Sequence, residues 1–173
     1  MAENAHPHKK VIDNMNIYQM ISLIDDSKYT YIKENISTHL HTSQIKLLKD
    51  VNKHSKPHHK KVRIEQYKKL LETPEKMDNL FELHKKLYIK KYQKLENKGL
   101  VEVNTDCENL PYDVTLTQKG IDLLIEIKDL EAQWQEIVLE DVDDEKLLEE
   151  LRKVTHNSLP INYNHKKQQK FVF

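Results

Sequence analysis

One short stretch of this chain alternates apolar and polar residues, whereas most of the remaining 173-residue sequence is patterned for helices. Val101 and Val103 alternate with polar neighbours, and Val114 and Leu116 do so again after a turn-rich link at residues 105–111. Alternation with a period of two is typical of half-buried strands. The sequence therefore predicts a β-hairpin within a mainly α-helical chain.

The N-terminal residues show helical spacing with an early interruption. Apolar residues three and four apart within residues 11–24 predict a first helix with a broad buried face. Two aspartates and a serine at residues 25–27 are expected to end this helix. The pattern of residues 29–36 is ambiguous between helix and other structure.

Two further helices and a linker are predicted next. Residues 42–51 indicate a helix whose first threonine or serine serves as the N-cap. Residues 54–61 are expected to form a basic linker, because Pro57 cannot continue that helix. A short amphipathic helix is then expected from about Ile64.

The stretch before the hairpin starts after Thr73 and Pro74, a threonine cap with proline at the first helical position. One straight helix through this stretch would place Lys91 in its apolar stripe. Dividing it near residues 84–86 removes most of that conflict, so we predict two shorter helices. Gly99 then ends the second helix, because glycine readily adopts a positive φ.

A long helix follows the hairpin, with Thr117 as its N-cap. Its apolar residues step by four, three, four and three, as in a helix that packs against a partner helix. We assign this seam to dimerisation, and packing inside a single chain is the alternative. The seam comprises Leu123, Ile127, Leu130, Trp134 and Ile137. Asp143 and Asp144 are expected to cap a last helix.

Charge is segregated along the chain, although 28 basic and 28 acidic residues cancel. Residues 41–98 contain 16 Lys or Arg and 7 Asp or Glu, a balance of +9. Residues 99–150 contain 3 and 16, a balance of −13. A concentrated basic segment is typical of a polyanion-binding surface, with a solvated lysine-rich face as the alternative. Contact with nucleic acid should therefore be confined to the middle of the chain.

Several classes of protein are disfavoured by the composition. With two glycines the chain has no Gly-rich phosphate loop, and its apolar runs are too short to span a bilayer or to form a signal peptide. Cys107 is the sole cysteine and no nucleophile–base arrangement stands out, so we expect neither an internal disulfide nor an enzyme. The ten histidines form no clear zinc-ligand pattern. We expect a cytoplasmic protein with no cofactor, metal or membrane partner.

Three segments resemble the MarR-type family of transcriptional regulators. Residues 88–101, YIKKYQKLENKGLV, are similar to the family's recognition helix running into Leu-Glu-x-x-Gly-Leu-Val. Residues 112–120, YDVTLTQKG, are similar to its second wing strand and the following Leu-Thr-x-x-Gly. Residues 144–152, DEKLLEELR, together with the long helix before them, match its closing pair of helices. The resemblance implies a winged helix-turn-helix fold with N- and C-terminal dimerisation helices.

The same resemblance implies a homodimer that binds double-stranded DNA, and it leaves room for a small-molecule effector. In such folds the helix before the hairpin enters the major groove. Lysines near its start would attract phosphate, and Gln93 has the groups to pair with adenine. For each lysine, a solvated charge without a partner is the alternative. The predicted DNA-binding residues are His84, Lys85, Lys86, Lys90, Gln93, Lys60, Lys61 and Arg63.

The predicted wing differs from the family's wing, which usually carries an arginine that reaches the minor groove. Its tip contains Asp106 and Glu108 and has neither lysine nor arginine. Because phosphate repels such a tip, we expect no base-specific contact by the wing.

The sequence is thus divided into four regions. We expect an N-terminal helical dimerisation region (1–40), a winged helix-turn-helix (41–117), C-terminal dimerisation helices (118–158) and a basic tail (159–173). The expected function is sequence-specific DNA binding by a homodimeric transcriptional regulator. A winged-helix protein–protein interaction module is the alternative, and a nonspecific nucleic-acid accessory protein is a third hypothesis.

Overall fold

The computed structural model describes residues 9–71, 77–105, 107, 110 and 112–168. Across these residues the chain is mainly helical with one two-stranded hairpin, which confirms the predicted fold class. The elements are α1 (Lys9–Ile12), α2 (Ile17–Asn35), α3 (Thr42–His54), α4 (Pro57–Leu71), α5 (Met77–Glu96), β1 (Val101–Asn104), β2 (Asp113–Leu116), α6 (Gln118–Val138) and α7 (Asp144–Gln168). The chain divides into two compact units, residues 1–131 and residues 132–173.

The hairpin forms where the alternating pattern predicted it. Strands β1 and β2 are antiparallel, with Val101 opposite Leu116 and Val103 opposite Val114. Val101 and Val114 are buried, so one face of the hairpin covers the core. The predicted β-hairpin is confirmed.

Gly99 ends α5 in the way its sequence position predicted. Its φ is +68°, in the left-handed region that glycine enters without a steric cost. The Gly99 N–H donates to the Glu96 carbonyl at 2.8 Å, and the Leu100 N–H donates to the Leu95 carbonyl at 3.0 Å. These two bonds form a Schellman motif, which turns the chain from α5 directly into the hairpin.

Thr117 caps α6, as predicted, and also ties that helix to the start of the hairpin. Its Oγ1 accepts from the Gly120 N–H at 3.0 Å and donates to the Gly99 carbonyl at 2.6 Å. The Thr117 N–H donates to the Leu100 carbonyl at 3.2 Å. Gly120 is needed because a Cβ at this position would overlap the carbonyl oxygen of Leu100.

The core of the first unit lies among α2, α3, the end of α5, the hairpin and α6. Its fully buried side chains are aliphatic, as expected where no hydrogen-bond partner is needed. They are Ile32, Leu40, Ile45, Leu48, Leu95, Leu100, Val101 and Ile127. This core fixes the hairpin against the C-terminal turns of α5.

In the second unit, α7 begins at the predicted cap. The Lys146 N–H donates to Asp143 Oδ1 at 3.1 Å, and the Leu147 N–H donates to the Asp143 carbonyl at 3.0 Å. The helix continues to Gln168, so residues 159–168 of the expected basic tail are helical.

The predicted break at residues 25–27 is wrong, because α2 continues through it to Asn35. Asp25 Oδ1 accepts from Lys28 Nζ at 2.7 Å, one helical turn away, and its Oδ2 lies 3.4 Å from Lys46 Nζ on α3. The aspartate therefore joins two helices instead of ending one.

The broad buried face predicted for residues 11–24 is also absent from this single chain. Burial on α2 begins only at Tyr29 and Ile32, because no described residue of the first unit covers its N-terminal half. The exposed apolar side chains of residues 11–24, on α1 and α2, are Val11, Ile12, Ile17, Tyr18, Met20, Ile21, Leu23 and Ile24.

Two helix boundaries before the hairpin differ from the prediction. Helix α4 begins at Pro57, so most of the expected linker is helical; proline at the first helical position fixes φ and needs no N–H partner. Helix α5 is unbroken, so the predicted split near residues 84–86 is wrong. The expected conflict at Lys91 does not arise, because Leu83 and Leu87 are exposed and, among the described side chains of α5, Leu95 alone is fully buried.

The Lys28 ammonium lowers the pKa of Asp25 below its ordinary value of 3.8, through a side-chain hydrogen bond and its positive charge. A depressed pKa means that Asp25 stabilises the fold above about pH 3.8 and loses this contribution as the pH falls further. We expect Lys28→Met to move the pKa of Asp25 up towards 3.8, measured from its carboxyl ¹³C shift. Lys33→Met, in the last turn of α2, is the control. An unchanged titration of Asp25 in Lys28→Met contradicts the assignment.

Candidate nucleic-acid interface

Helices α4 and α5 precede the hairpin in the order of a winged helix-turn-helix, and α5 presents two distinct faces. Leu95 is fully buried and Tyr92 packs against the core. Lys86, Lys90 and Gln93 are exposed. Their spacing of four and three residues places these three on one side of the helix, turned away from Tyr92 and Leu95. We call Lys86, Lys90 and Gln93 the α5 row.

The remaining residues predicted on α5 do not belong to this row. Lys85 Nζ lies 4.0 Å from Glu82 Oε1, and the Lys85 side chain is 30% exposed. An ion pair of this kind at the surface leaves most of the lysine charge exposed to solvent screening. The side chain of His84 lies outside the described part of the chain.

Lys60 and Arg63 of α4, predicted from the sequence to contact DNA, lie against the hairpin in the single chain. Lys60 Nζ lies 2.6 Å from Asp113 Oδ2, and Arg63 Nη1 lies 3.6 Å from Asp113 Oδ1. Arg63 Nη2 also donates to the Tyr112 carbonyl at 3.2 Å, and its guanidinium lies 5.4 Å from the centre of the Tyr112 ring. Lys61, between them, is exposed. We call Lys60, Arg63, Tyr112 and Asp113 the hairpin clamp.

The hairpin clamp has no local signal in the sequence. Asp113 is about fifty residues from its two cationic partners, and the alternating pattern shows only that it lies in a strand. Beside the clamp is a cavity of about 250 Å³, lined by residues that include Arg63, Tyr92 and Tyr112. That volume is below the roughly 300–1,000 Å³ of ordinary ligand pockets, so we assign no effector to it.

The five residues of the predicted dimerisation seam lie in different surroundings. Leu123, Ile127 and Leu130 are buried in the core of the single chain. For these three the structure supports the alternative, packing inside one chain. Trp134 is half-buried within the second unit, and Ile137 is 59% exposed.

The histidine pairs do not assemble a metal site in the described ranges. No group of three His, Cys, Asp or Glu side chains there is arranged to hold an ion. The rings of His39 and His41 meet edge to face at 5.6 Å, as do those of His54 and His59. Among the helices in the same ranges, none is long and apolar enough to cross a membrane.

Comparison with known proteins supports the fold through structure rather than sequence. No protein-family model and no curated protein matches the chain. A solved structure described as the crystal structure of MarR is similar, with a TM-score of 0.57 and 17% sequence identity. The match covers 87% of this chain and 96% of that one. The chain has a MarR-like winged-helix fold.

Proposed function

We propose that the chain is a homodimeric transcriptional regulator that binds duplex DNA in a sequence-specific way. The observation that carries this proposal is the α5 row, an exposed row of two lysines and a glutamine on the helix just before the hairpin of a MarR-like fold. A helix in this position enters the major groove in helix-turn-helix proteins. Lysine attracts phosphate and the glutamine amide can bond adenine on its N6 and N7 atoms.

The distribution of charge supports the same surface. The α5 row and Lys61 belong to the basic segment of the chain, whereas the hairpin and α6 belong to the acidic segment. Phosphate is therefore attracted to α4 and α5 and repelled by the hairpin and α6, which favours one orientation of the duplex. No enzymatic role is included in the proposal.

Binding to random duplex fragments, followed by sequencing of the retained ones, tests the proposal. We expect recovery of a pseudo-palindromic site, with binding that weakens steeply as salt is raised. Equal retention of unrelated duplexes favours the nonspecific accessory protein. A chain that binds no duplex at 50 mM salt contradicts the proposal and favours the protein–protein interaction module.

The homodimer is proposed from apolar side chains that the single chain leaves exposed. Ile17 is 51%, Ile21 45% and Ile24 50% exposed on α2. In the second unit, Ile137 is 59% and Leu151 45% exposed. Exposed apolar surface on this scale is typical of protein–protein contact, and a second copy supplies the same surfaces again. The proposed contact thus uses these residues and not Leu123, Ile127 or Leu130.

Replacing both Ile21 and Ile24 with serine is expected to halve the mass of the particle in solution, measured by sedimentation equilibrium. The fold should persist in circular dichroism, because both side chains are about half exposed in the single chain. Val62→Ser, at an apolar residue of α4 that is 37% exposed, is the control and should remain dimeric. A double variant that keeps the wild-type mass contradicts this dimer surface.

A further inference from the structure

The Asp113 carboxylate pairs with two cationic side chains that would otherwise be available to bind an external anion. Its carboxylate lies 2.6 Å from Lys60 Nζ and 3.6 Å from Arg63 Nη1. The Asp113 side chain is 14% exposed, whereas that of Lys60 is 49% exposed. The carboxylate is thus held against the protein while the lysine it neutralises is open to solvent.

The ion pairs of Asp113 join α4 to the hairpin, and both elements flank DNA in helix-turn-helix proteins. The first helix of the pair crosses the phosphate backbone, and here that helix is α4. Lys60 lies in its first turn, beside the start of β2. A phosphate at this junction would bind the same Lys60 ammonium and Arg63 guanidinium groups, since carboxylate and phosphate bind them through similar charge-assisted hydrogen bonds.

We propose that Asp113 takes the place of a DNA phosphate on α4 and withholds Lys60 and Arg63 from the DNA backbone. This inference rests on the proposed function. Phosphate contacts strengthen binding to every sequence and supply nearly all of nonspecific affinity. Asp113 is therefore an affinity-limiting residue that acts on the sequence-independent part of binding, while the α5 row contacts the duplex directly.

Asp113→Asn tests the proposal on a duplex of unrelated sequence, because it keeps the size of the side chain and removes its charge. Each released cation is expected to steepen the slope of log K against log salt by about 0.9 per protomer, or about 1.8 for both. When salt is lowered from 1 M to 0.1 M, the affinity of Asp113→Asn should therefore rise more than that of the wild type. The additional rise is roughly 8-fold per protomer for one released cation and roughly 60-fold for both. Asp129→Asn, at an exposed carboxylate of α6, changes the net charge equally and should show little of this effect.

Lys60→Gln supplies a second test that leaves Asp113 in place. On its own it should leave the salt slope nearly unchanged, because Asp113 already neutralises Lys60. Added to Asp113→Asn, it should remove about 0.9 of the gained slope per protomer. A loss of about 0.9 in Lys60→Gln alone overturns the proposal, since the lysine then contacts DNA in the wild type. This test stands even if Asp113→Asn lowers the helical circular dichroism signal and fails to fold.

The outcomes separate this inference from the function on which it rests. Wild-type chain that binds no duplex at 50 mM salt overturns both. Wild-type chain that binds with a steep salt dependence, combined with identical slopes for Asp113→Asn and Asp129→Asn, overturns the inference alone. A steeper slope in Asp113→Asn that Lys60→Gln partly reverses supports it.

Discussion

Replacing Lys86 and Lys90 together with alanine is expected to flatten the salt dependence of duplex binding by about 1.8 in slope per bound protomer. Each lysine that contacts a phosphate releases counterions and contributes about 0.9 to that slope. When salt is lowered from 1 M to 0.1 M, the affinity of the double variant should therefore rise by a factor roughly 60-fold smaller per protomer than that of the wild type. Both side chains are exposed, so the stability of the fold should be nearly unchanged. Fluorescence anisotropy of a labelled duplex over a range of salt concentrations measures the slope.

A matched charge loss away from α5 distinguishes local contact from net charge. Lys128→Ala combined with Lys146→Ala removes the same two charges from exposed residues of α6 and α7 and should leave the slope nearly unchanged. Lys86→Arg combined with Lys90→Arg keeps both charges on α5 and should retain the wild-type salt slope. An unchanged slope in the double alanine variant means that the α5 row does not face the duplex, and the proposed DNA interface is then wrong.

Elements set by local chemistry were predictable from the sequence. At Gly99, Thr117 and Asp143 the helix boundary is set by φ or by a capping bond to a group three residues away, so it depends on neighbours along the chain. The hairpin is local in the same sense, because its alternating pattern and turn-rich link lie within sixteen residues.

Interactions between distant segments were not predictable in this way. Asp25 resembles a helix breaker until Lys28 and Lys46 are seen to share its carboxylate. The split of α5 was inferred by assuming that its whole apolar stripe is buried, whereas Leu83 and Leu87 are exposed. Periodicity shows which residues share a face and does not show how far along the helix the core extends.

The same limit applied to the predicted DNA-binding surface, of which the sequence identified only a part. The sequence identified the basic segment, and the spacing on α5 correctly separated exposed lysines and Gln93 from Tyr92 and Leu95. It did not separate Lys61 from Lys60 and Arg63, whose side chains pair with Asp113. Charge counts give the number of cations, while their pairing depends on a strand that joins α4 only in the folded chain.

Gly120→Ala is expected to destabilise the fold by about 2 to 3 kcal/mol, although alanine is the better helix former. In an ordinary helix interior this change gains about 1 kcal/mol. Here the added Cβ would overlap the carbonyl oxygen of Leu100 and lie 3.4 Å from Leu116 Cδ2. That carbonyl also accepts the Thr117 N–H, so relief of the overlap requires movement of backbone that joins α6 to the hairpin. Urea denaturation followed by circular dichroism measures the loss.

Gly99→Ala provides the comparison, because it introduces strain without overlap. A Cβ at residue 99 meets no atom within 4 Å, so its cost is that of a non-glycine residue at φ +68°, roughly 1 to 2 kcal/mol. We therefore expect Gly120→Ala to be the more destabilising of the two. If Gly120→Ala is as stable as the wild type, α6 does not approach Leu100 this closely. The contact described here between α6 and the start of the hairpin is then wrong.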